Sequence, residues 1–316
     1  MANRTGLVNA KSLNIRPEPS TDKAAVGSLA RGAKVEILEK IEGWYRIKSG
    51  SLSGYASGDY ITVVDDTPVA DYLWEMELLR TAQLAPPGHK LIPLLAKHTG
   101  SQKMAAKIWN GQGGLLEILC GILEVEPASA VAVLCVESGG AGFDANNRMI
   151  IRFENHIFWN LWGKNNPDTF NEHFTFNPQK KWLGHKFRQT ANGVWSDFHG
   201  TQDGEWRVFD YARRLNENSA MNAISMGGPQ IMGFNSAAIG YAAARDMFDN
   251  FSSDIRYQIL GLFDFLRGAG STSKMIEALQ MQNYTQFASY YNGSGQAPVY
   301  GARIEGFVKA FKSLKA

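Results

Sequence analysis

Two patterns of apolar and polar positions divide the chain. Over the first sixty-odd residues they alternate in short bursts, as in Lys34-Val-Glu-Ile-Leu38, Trp44-Tyr-Arg-Ile-Lys48 and Gly54-Tyr-Ala56, with Gly, Ser, Pro and Asp between them. A period of two buries one face of a strand and wets the other, so these bursts predict short antiparallel strands closing into a small barrel. Asp65-Asp-Thr-Pro68 ends this pattern, and Tyr72-Leu-Trp-Glu-Met-Glu-Leu-Leu79 opens a helical one. The expected organisation is a barrel over 1–64, a linker over 65–75 and a mainly helical domain over 76–316.

Helical periodicity recurs at 205–219, 235–249, 254–268, 272–281 and 297–314, with Ile255, Ile259, Leu262 and Leu266 falling on one face. Between Phe143 and Asp203 the chain turns to mixed aromatic, Gly and Asn content around a strand-like Met149-Ile-Ile-Arg-Phe153, which predicts a small β or irregular lobe interrupting the helices. The all-apolar run Ala128–Val136 suits a buried strand or a buried helix. Its edges favour helix, because Pro127 fits a first helical position and Gly139-Gly140 fits a stop. Glu137 then projects from the last turn of a core helix beside a loop.

Composition narrows the function classes. The 316 residues carry 32 basic and 30 acidic side chains, a net charge of +2 with no long Lys/Arg run, which argues against a nucleic-acid partner. Cys120 and Cys135 lie in apolar helical patterns and read as buried thiols. No stretch approaches the ~20 apolar residues of a membrane span, so no membrane insertion is expected. The N-terminus lacks the apolar core of a signal peptide, so synthesis in the cytoplasm and delivery by another route are expected, as a monomer.

Several motifs carry a resemblance. Gly6-Leu-Val, Leu13-Asn-Ile-Arg-Pro-Glu-Pro-Ser20, Val26-Gly-Ser-Leu-Ala-Arg-Gly32, Gly43-Trp-Tyr-Arg-Ile47 and Gly54-Tyr55 with Tyr60-Ile61 together resemble the bacterial Src-homology-3-like domain. That resemblance implies docking onto peptidoglycan, with Trp44, Tyr45, Tyr55 and Tyr60 expected to fill the core first and to touch ligand second. Downstream, Val136-Glu-Ser-Gly-Gly140, Ser225-Met-Gly-Gly-Pro-Gln-Ile-Met-Gly-Phe-Asn235 and Ala288-Ser-Tyr-Tyr-Asn-Gly293 resemble, in that order, the lysozyme-like superfamily. With Ile151-Arg-Phe-Glu-Asn-His156 the set is similar to the N-acetylmuramidase domain of phage endolysins over roughly 75–316. The implied fold is multidomain, a small all-β barrel followed by a mainly α, lysozyme-like (α+β) domain. The implied partner is the peptidoglycan glycan strand, cut at the β-1,4 bond between N-acetylmuramic acid and N-acetylglucosamine.

Glycosidic cleavage needs a protonated carboxyl at the leaving oxygen and support for an oxocarbenium-like transition state. Glu137, against apolar neighbours, is the candidate acid. Glu154 is the candidate second group, with Asp144 as rival and the substrate itself as a third option; a structural ion pair of Glu154 with Arg152 or a hydrogen bond to His156 is the competing reading. Ser225 and Gln230 belong to a glycine-rich segment suited to a cleft wall, where Gln230 either binds sugar or braces a hairpin. Tyr291 and Asn292 are further candidate sugar contacts at a helix end. His185, Asp197, His199 and Glu205 are potential metal ligands, but their spacing fits no closed motif, so no metal and no cofactor are expected. Two alternatives stand beside hydrolysis: a lytic transglycosylase that leaves anhydro-muramic ends, and a non-catalytic wall-binding protein.

Overall fold

The computed structural model describes residues 4–41, 43–64, 72–139, 141–268 and 274–315. The N-terminal strands are β1 (Arg4–Val8), β2 (Ser12–Ile15), β3 (Gly27–Ala30), β4 (Lys34–Ile41), β5 (Trp44–Ser49), β6 (Leu52–Ser57) and β7 (Ile61–Val64). Five form an antiparallel sheet in the order β6-β5-β4-β1-β7, while β2 and β3 pair separately and join it through a bridge between Arg16 and Tyr55. Gly54 permits that approach, since a side chain there would lie 2.5 Å from the Arg16 carbonyl oxygen. The alternation therefore produces the barrel it predicts, but the core is aliphatic: Val8, Leu13, Ile15, Val35, Ile37, Ile47, Ala56 and Ile61. This corrects the expectation that aromatics fill it. Trp44, Tyr45 and Tyr55 are half-buried and Tyr60 is 49% exposed, because a barrel this small is already filled by branched aliphatic chains.

Residues 65–71 of the expected linker lie outside the described residues, and Leu73–Glu75 forms one 3-10 turn. Helices α1 (Glu77–Thr81), α2 (Gly100–Leu123) and α3 (Pro127–Ser138) follow. Thr99 starts α2 with a capping box, its hydroxyl accepting from the Gln102 N–H and the Gln102 side chain accepting from the Thr99 N–H. Trp109 of α2 is fully buried and packs on Phe311 of α12 (Ala297–Lys312), with centroids 5.3 Å apart. Helix α12 also packs on α11 (Tyr284–Asn292), which packs on α10 (Lys274–Gln280). Cys120 and Cys135 are free and buried, and burial pushes both thiols up, Cys135 to about 12.

Packing divides the described residues into two compact units, one within 1–133 and 273–316, the other within 134–272. The second contains β8 (Ile151–Phe153), α4 (Asn155–Leu161), α5 (Pro167–His173), β9 (Phe174–Thr175), β10 (Lys186–Phe187), β11 (Ser196–Asp197), α6 (Gln202–Leu215), α7 (Glu217–Asn222), β12 (Ile224–Met226), β13 (Ile231–Met232), α8 (Ala244–Ser253) and α9 (Ile255–Arg267). It carries two three-stranded sheets, ordered β13-β12-β8 and β11-β10-β9. Phe153, Phe158, Phe170, Phe174 and Phe187 are all fully buried, so this lobe is held largely by aromatic packing.

Two expected helices are broken. The pattern at 205–219 divides into α6 and α7 at Asn216, whose extended backbone lets its side chain accept from the Ser219 N–H at 2.9 Å. The pattern at 235–249 gives a 3-10 segment, Gly233–Ile239, then a left-handed Gly240 (φ 86°) before α8 begins. The strand-like 149–153 segment shortens to β8.

Candidate active site

Helix α3 is apolar on all sides, and Ala128 to Cys135 are all buried. Pro127 opens it and Gly139, left-handed at φ 59°, closes it, with the Gly139 N–H bonded to the Cys135 carbonyl at 3.2 Å. Val136 and Glu137 are half-buried on the last turn, so the carboxyl leaves the core at the helix end.

The loop that follows is organised by Asp144. Its Oδ1 accepts from the N–H groups of Asn146 (2.8 Å) and Arg148 (2.9 Å), and its Oδ2 accepts from Arg148 Nε (3.0 Å) and Nη2 (2.8 Å). Burial opposes ionisation of this carboxyl, but the Arg148 and Asn146 N–H groups and the Arg148 guanidinium outweigh it and hold it below the usual carboxylate range. Asp144 is thus engaged by its own turn, which supports a structural role over that of a second catalytic group.

Strand β12 lies between β8 and β13, in register Ser225 with Arg152 and Ser225 with Met232. The β12–β13 turn uses left-handed backbone at Gly227 (φ 68°) and, unusually for a residue with a side chain, at Gln230 (φ 53°). Both polar ends of Gln230 are taken inside the hairpin: Oε1 accepts from Ser225 Oγ at 2.7 Å and Nε2 donates to the Gly227 carbonyl at 2.7 Å. This geometry supports bracing for Gln230 and Ser225.

A residue that sequence reasoning passed over ties these parts together. Gln258 of α9 is 1% exposed; its Oε1 accepts from the Gly228 N–H at 2.8 Å and its Nε2 donates to the carbonyls of Phe251 (2.9 Å) and Gly142 (3.3 Å). A side chain at Gly142 would collide with Gln258 Oε1, and one at Gly227 would lie 2.6 Å from it. The loop after Glu137 and the glycine turn therefore share one buried amide. Its only sequence signal is a polar position on an otherwise apolar helix face.

Glu154 follows β8 at the N-cap of α4. Its Oε1 accepts from Arg152 Nε at 2.9 Å, while Oε2 lies 3.4 Å from His156 Nδ1 and 3.5 Å from His185 Nδ1. His185 Nδ1 in turn faces His199 Nε2 at 3.0 Å, and His199 Nδ1 meets Glu205 Oε1 at 2.7 Å. Burial lowers His185 and His156, partly offset in each case by the Glu154 charge and, for His185, by the Lys181 carbonyl. Of the four ligand candidates read from the sequence, His185 and His199 meet and Glu205 backs His199, whereas Asp197 is exposed on β11; Glu154 and His156 complete the cluster.

Tyr291 and Asn292 close α11 in the other compact unit. Tyr291 stacks on Phe287 with centroids 5.7 Å apart, and the buried Asn292 Oδ1 accepts no hydrogen bond from the described residues.

The N-acetylmuramidase family model matches residues 126–312, from the start of α3 to the end of α12. The chain belongs to the N-acetylmuramidase family. A bacterial SH3 domain model matches residues 11–62, the barrel, so this member joins a muramidase domain to an N-terminal SH3 domain. A putative N-acetylmuramoyl-L-alanine amidase of Bacillus subtilis (strain 168) is 37% identical over 60 residues, which are 19% of this chain and 12% of the amidase. A bacteriocin of Clostridium perfringens is 33% identical over 76 residues, 23% of this chain and 8% of the bacteriocin. The chain thus spans about a tenth of the length of these relatives. The crystal structure of the Burkholderia AP3 phage endolysin is similar with a TM-score of 0.48 at 24% identity, covering 64% of this chain and 70% of the endolysin.

Proposed function

We propose that the chain is a peptidoglycan hydrolase that cleaves the β-1,4 bond between N-acetylmuramic acid and N-acetylglucosamine, with the barrel holding it to the cell wall. The observation that carries this reading is the place of Glu137 within the matched 126–312 segment, on the last turn of a helix buried from Ala128 to Cys135. A helix C-terminus is unfavourable to negative charge, and an apolar surround is unfavourable to any charge. Such a place suits a carboxyl that must deliver a proton.

In this reading Glu137 protonates the leaving glycosidic oxygen as the C–O bond breaks, and water completes the hydrolysis at the anomeric carbon. Glu154, expected as the second group, is engaged by Arg152 and flanked by two imidazoles, which supports a holding role for it. Charge at the anomeric centre is then met by the substrate's own acetamido oxygen. Ser225 and Gln230 shape the glycine turn.

The test is mass spectrometry of purified peptidoglycan after digestion. Reducing muramic ends are expected. Anhydro-muramic ends would replace hydrolysis by transglycosylation, and amino-sugar chains of undiminished length would leave only a wall-binding protein.

A further inference from the structure

The cluster of Glu154, His156, His185 and His199 has a feature that simple hydrogen bonding does not resolve. His185 Nε2 contacts the Lys181 carbonyl oxygen at 2.7 Å, and a carbonyl can only accept, so the ring proton belongs on Nε2. His199 Nδ1 contacts Glu205 Oε1 at 2.7 Å, while Glu205 Oε2 accepts from the Phe153 N–H at 2.9 Å, so the His199 proton belongs on Nδ1. The two remaining nitrogens, His185 Nδ1 and His199 Nε2, then point lone pairs at each other across 3.0 Å. Something positive has to lie between them.

A shared proton would settle that pair alone. Two more donor atoms converge on His185 Nδ1, however: Glu154 Oε2 and His156 Nδ1 have no hydrogen-bond partner among the described residues, and with His185 Nδ1 they lie within 4.8 Å of one another. A tetrahedral zinc ion bound at about 2.0–2.1 Å sets its ligand atoms roughly 3.3–3.4 Å apart. Here the separations are 3.4 Å (Glu154 to His156) and 3.5 Å (Glu154 to His185), and His199 Nε2 stands beside this group of three, 3.0 Å from His185 Nδ1.

We propose that Glu154 Oε2, His156 Nδ1 and His185 Nδ1 form a binding site for a divalent first-row transition ion, with zinc as the fitting member and His199 Nε2, 3.0 Å from His185 Nδ1, as the donor that turns in to complete it. The outer partners are those a metal site uses: a carbonyl on His185 and a buried carboxylate on His199 fix each ring's tautomer and aim, and Arg152 on Oε1 leaves Oε2 of Glu154 to face the ion. Three imidazoles with one carboxylate suit zinc better than magnesium or calcium. Three ligands are grouped and His199 supplies the fourth, the closed shell of a structural ion. It joins the start of α4 to the segments before β10 and after β11, elements whose strands of two residues contribute few backbone hydrogen bonds of their own.

The site is independent of the lytic reading and is tested without it. The full-length chain, free of any polyhistidine tag, is stripped with chelator and titrated with zinc chloride by calorimetry and thermal melting. One ion per chain and a rise of several degrees in melting temperature are expected, with the same result for Glu137→Gln. His156→Ala, at a half-buried ligand, should weaken zinc binding by tenfold or more, and cobalt in place of zinc should give the visible absorption of a four-coordinate centre. No binding in the stripped protein, binding unchanged in His156→Ala and in His199→Ala, or a six-coordinate cobalt spectrum would each overturn the assignment.

Discussion

Glu137 and Glu154 occupy opposite kinds of helix end. Glu137 sits half-buried on the last turn of α3, after the buried run Ala128–Cys135, where the backbone carbonyls make negative charge unfavourable. Glu154 sits at the N-cap of α4, where backbone N–H groups favour an anion, with Arg152 at 2.9 Å and two imidazoles within 3.5 Å. The same side chain is thus placed once at the C-terminal end of a buried apolar run and once between an arginine and two imidazoles. An acid for a leaving group needs the first environment, and a fixed ligand or ion-pair partner needs the second.

The largest effect expected from this contrast is on turnover. Glu137→Gln should lower the rate of wall clearing by about 10²–10⁴-fold, the range typical for loss of a general acid, with the melting temperature unchanged. Glu154→Gln should show the reverse balance: a lower melting temperature, and at a temperature where the variant stays folded a much smaller loss of rate. Equal losses of rate with unchanged melting would restore Glu154 to the reacting pair and break the comparison.

Next comes the amide that holds the loop after Glu137 to the glycine turn. Gln258→Leu keeps the volume but leaves the Gly228 N–H and the Phe251 and Gly142 carbonyls without their partner. Each buried group left unpaired costs about 1–3 kcal/mol, so a loss of roughly 2–4 kcal/mol is expected from chemical denaturation, with activity reduced as the glycine turn loosens. Gly142→Ala should mimic it by crowding Gln258. A variant at Gln258 as stable as the parent would show that the turn holds itself.

These residues also mark where the sequence is readable. The barrel is legible because alternation of period two maps directly onto one buried face, and α3 is legible because Pro127 and Gly139 bracket an apolar run. The Glu154 cluster is not, because its members come from three separate stretches of chain brought together by strands of two or three residues, too short to show any period. The barrel aromatics mislead for a related reason: hydrophobicity predicts burial, but volume decides which side chains fit a core this small. Gln258 reads as a surface position by polarity and is buried by three hydrogen bonds instead.

A smaller effect separates bracing from binding at the hairpin. If Gln230 acts through Ser225 Oγ and the Gly227 carbonyl, Gln230→Ala and Ser225→Ala should each cost about 1 kcal/mol and should couple in a double-mutant cycle by ~0.5–1 kcal/mol. Unchanged stability with a raised KM for soluble glycan fragments in Gln230→Ala alone would instead place that side chain against the sugar.

The smallest effect concerns the loop after Glu137 and is read through pH. Asp144 is held below the usual carboxylate range, so its folded-state pKa lies under its unfolded value of about 3.9. Linkage then fixes the sign: the carboxylate's contribution is fully present above the unfolded value and is lost as pH falls through the folded one. Asp144→Asn should therefore melt below the parent at pH 7, and the two curves should converge as the solution is acidified past pH 4. Asn keeps one acceptor for the Asn146 and Arg148 N–H groups but gives up the charge facing the Arg148 guanidinium, so the gap measures that ion pair within a fixed turn. A gap that persists undiminished at pH 2 would mean that the turn depends on side-chain shape alone, and the loop after Glu137 would owe nothing to the carboxylate's charge.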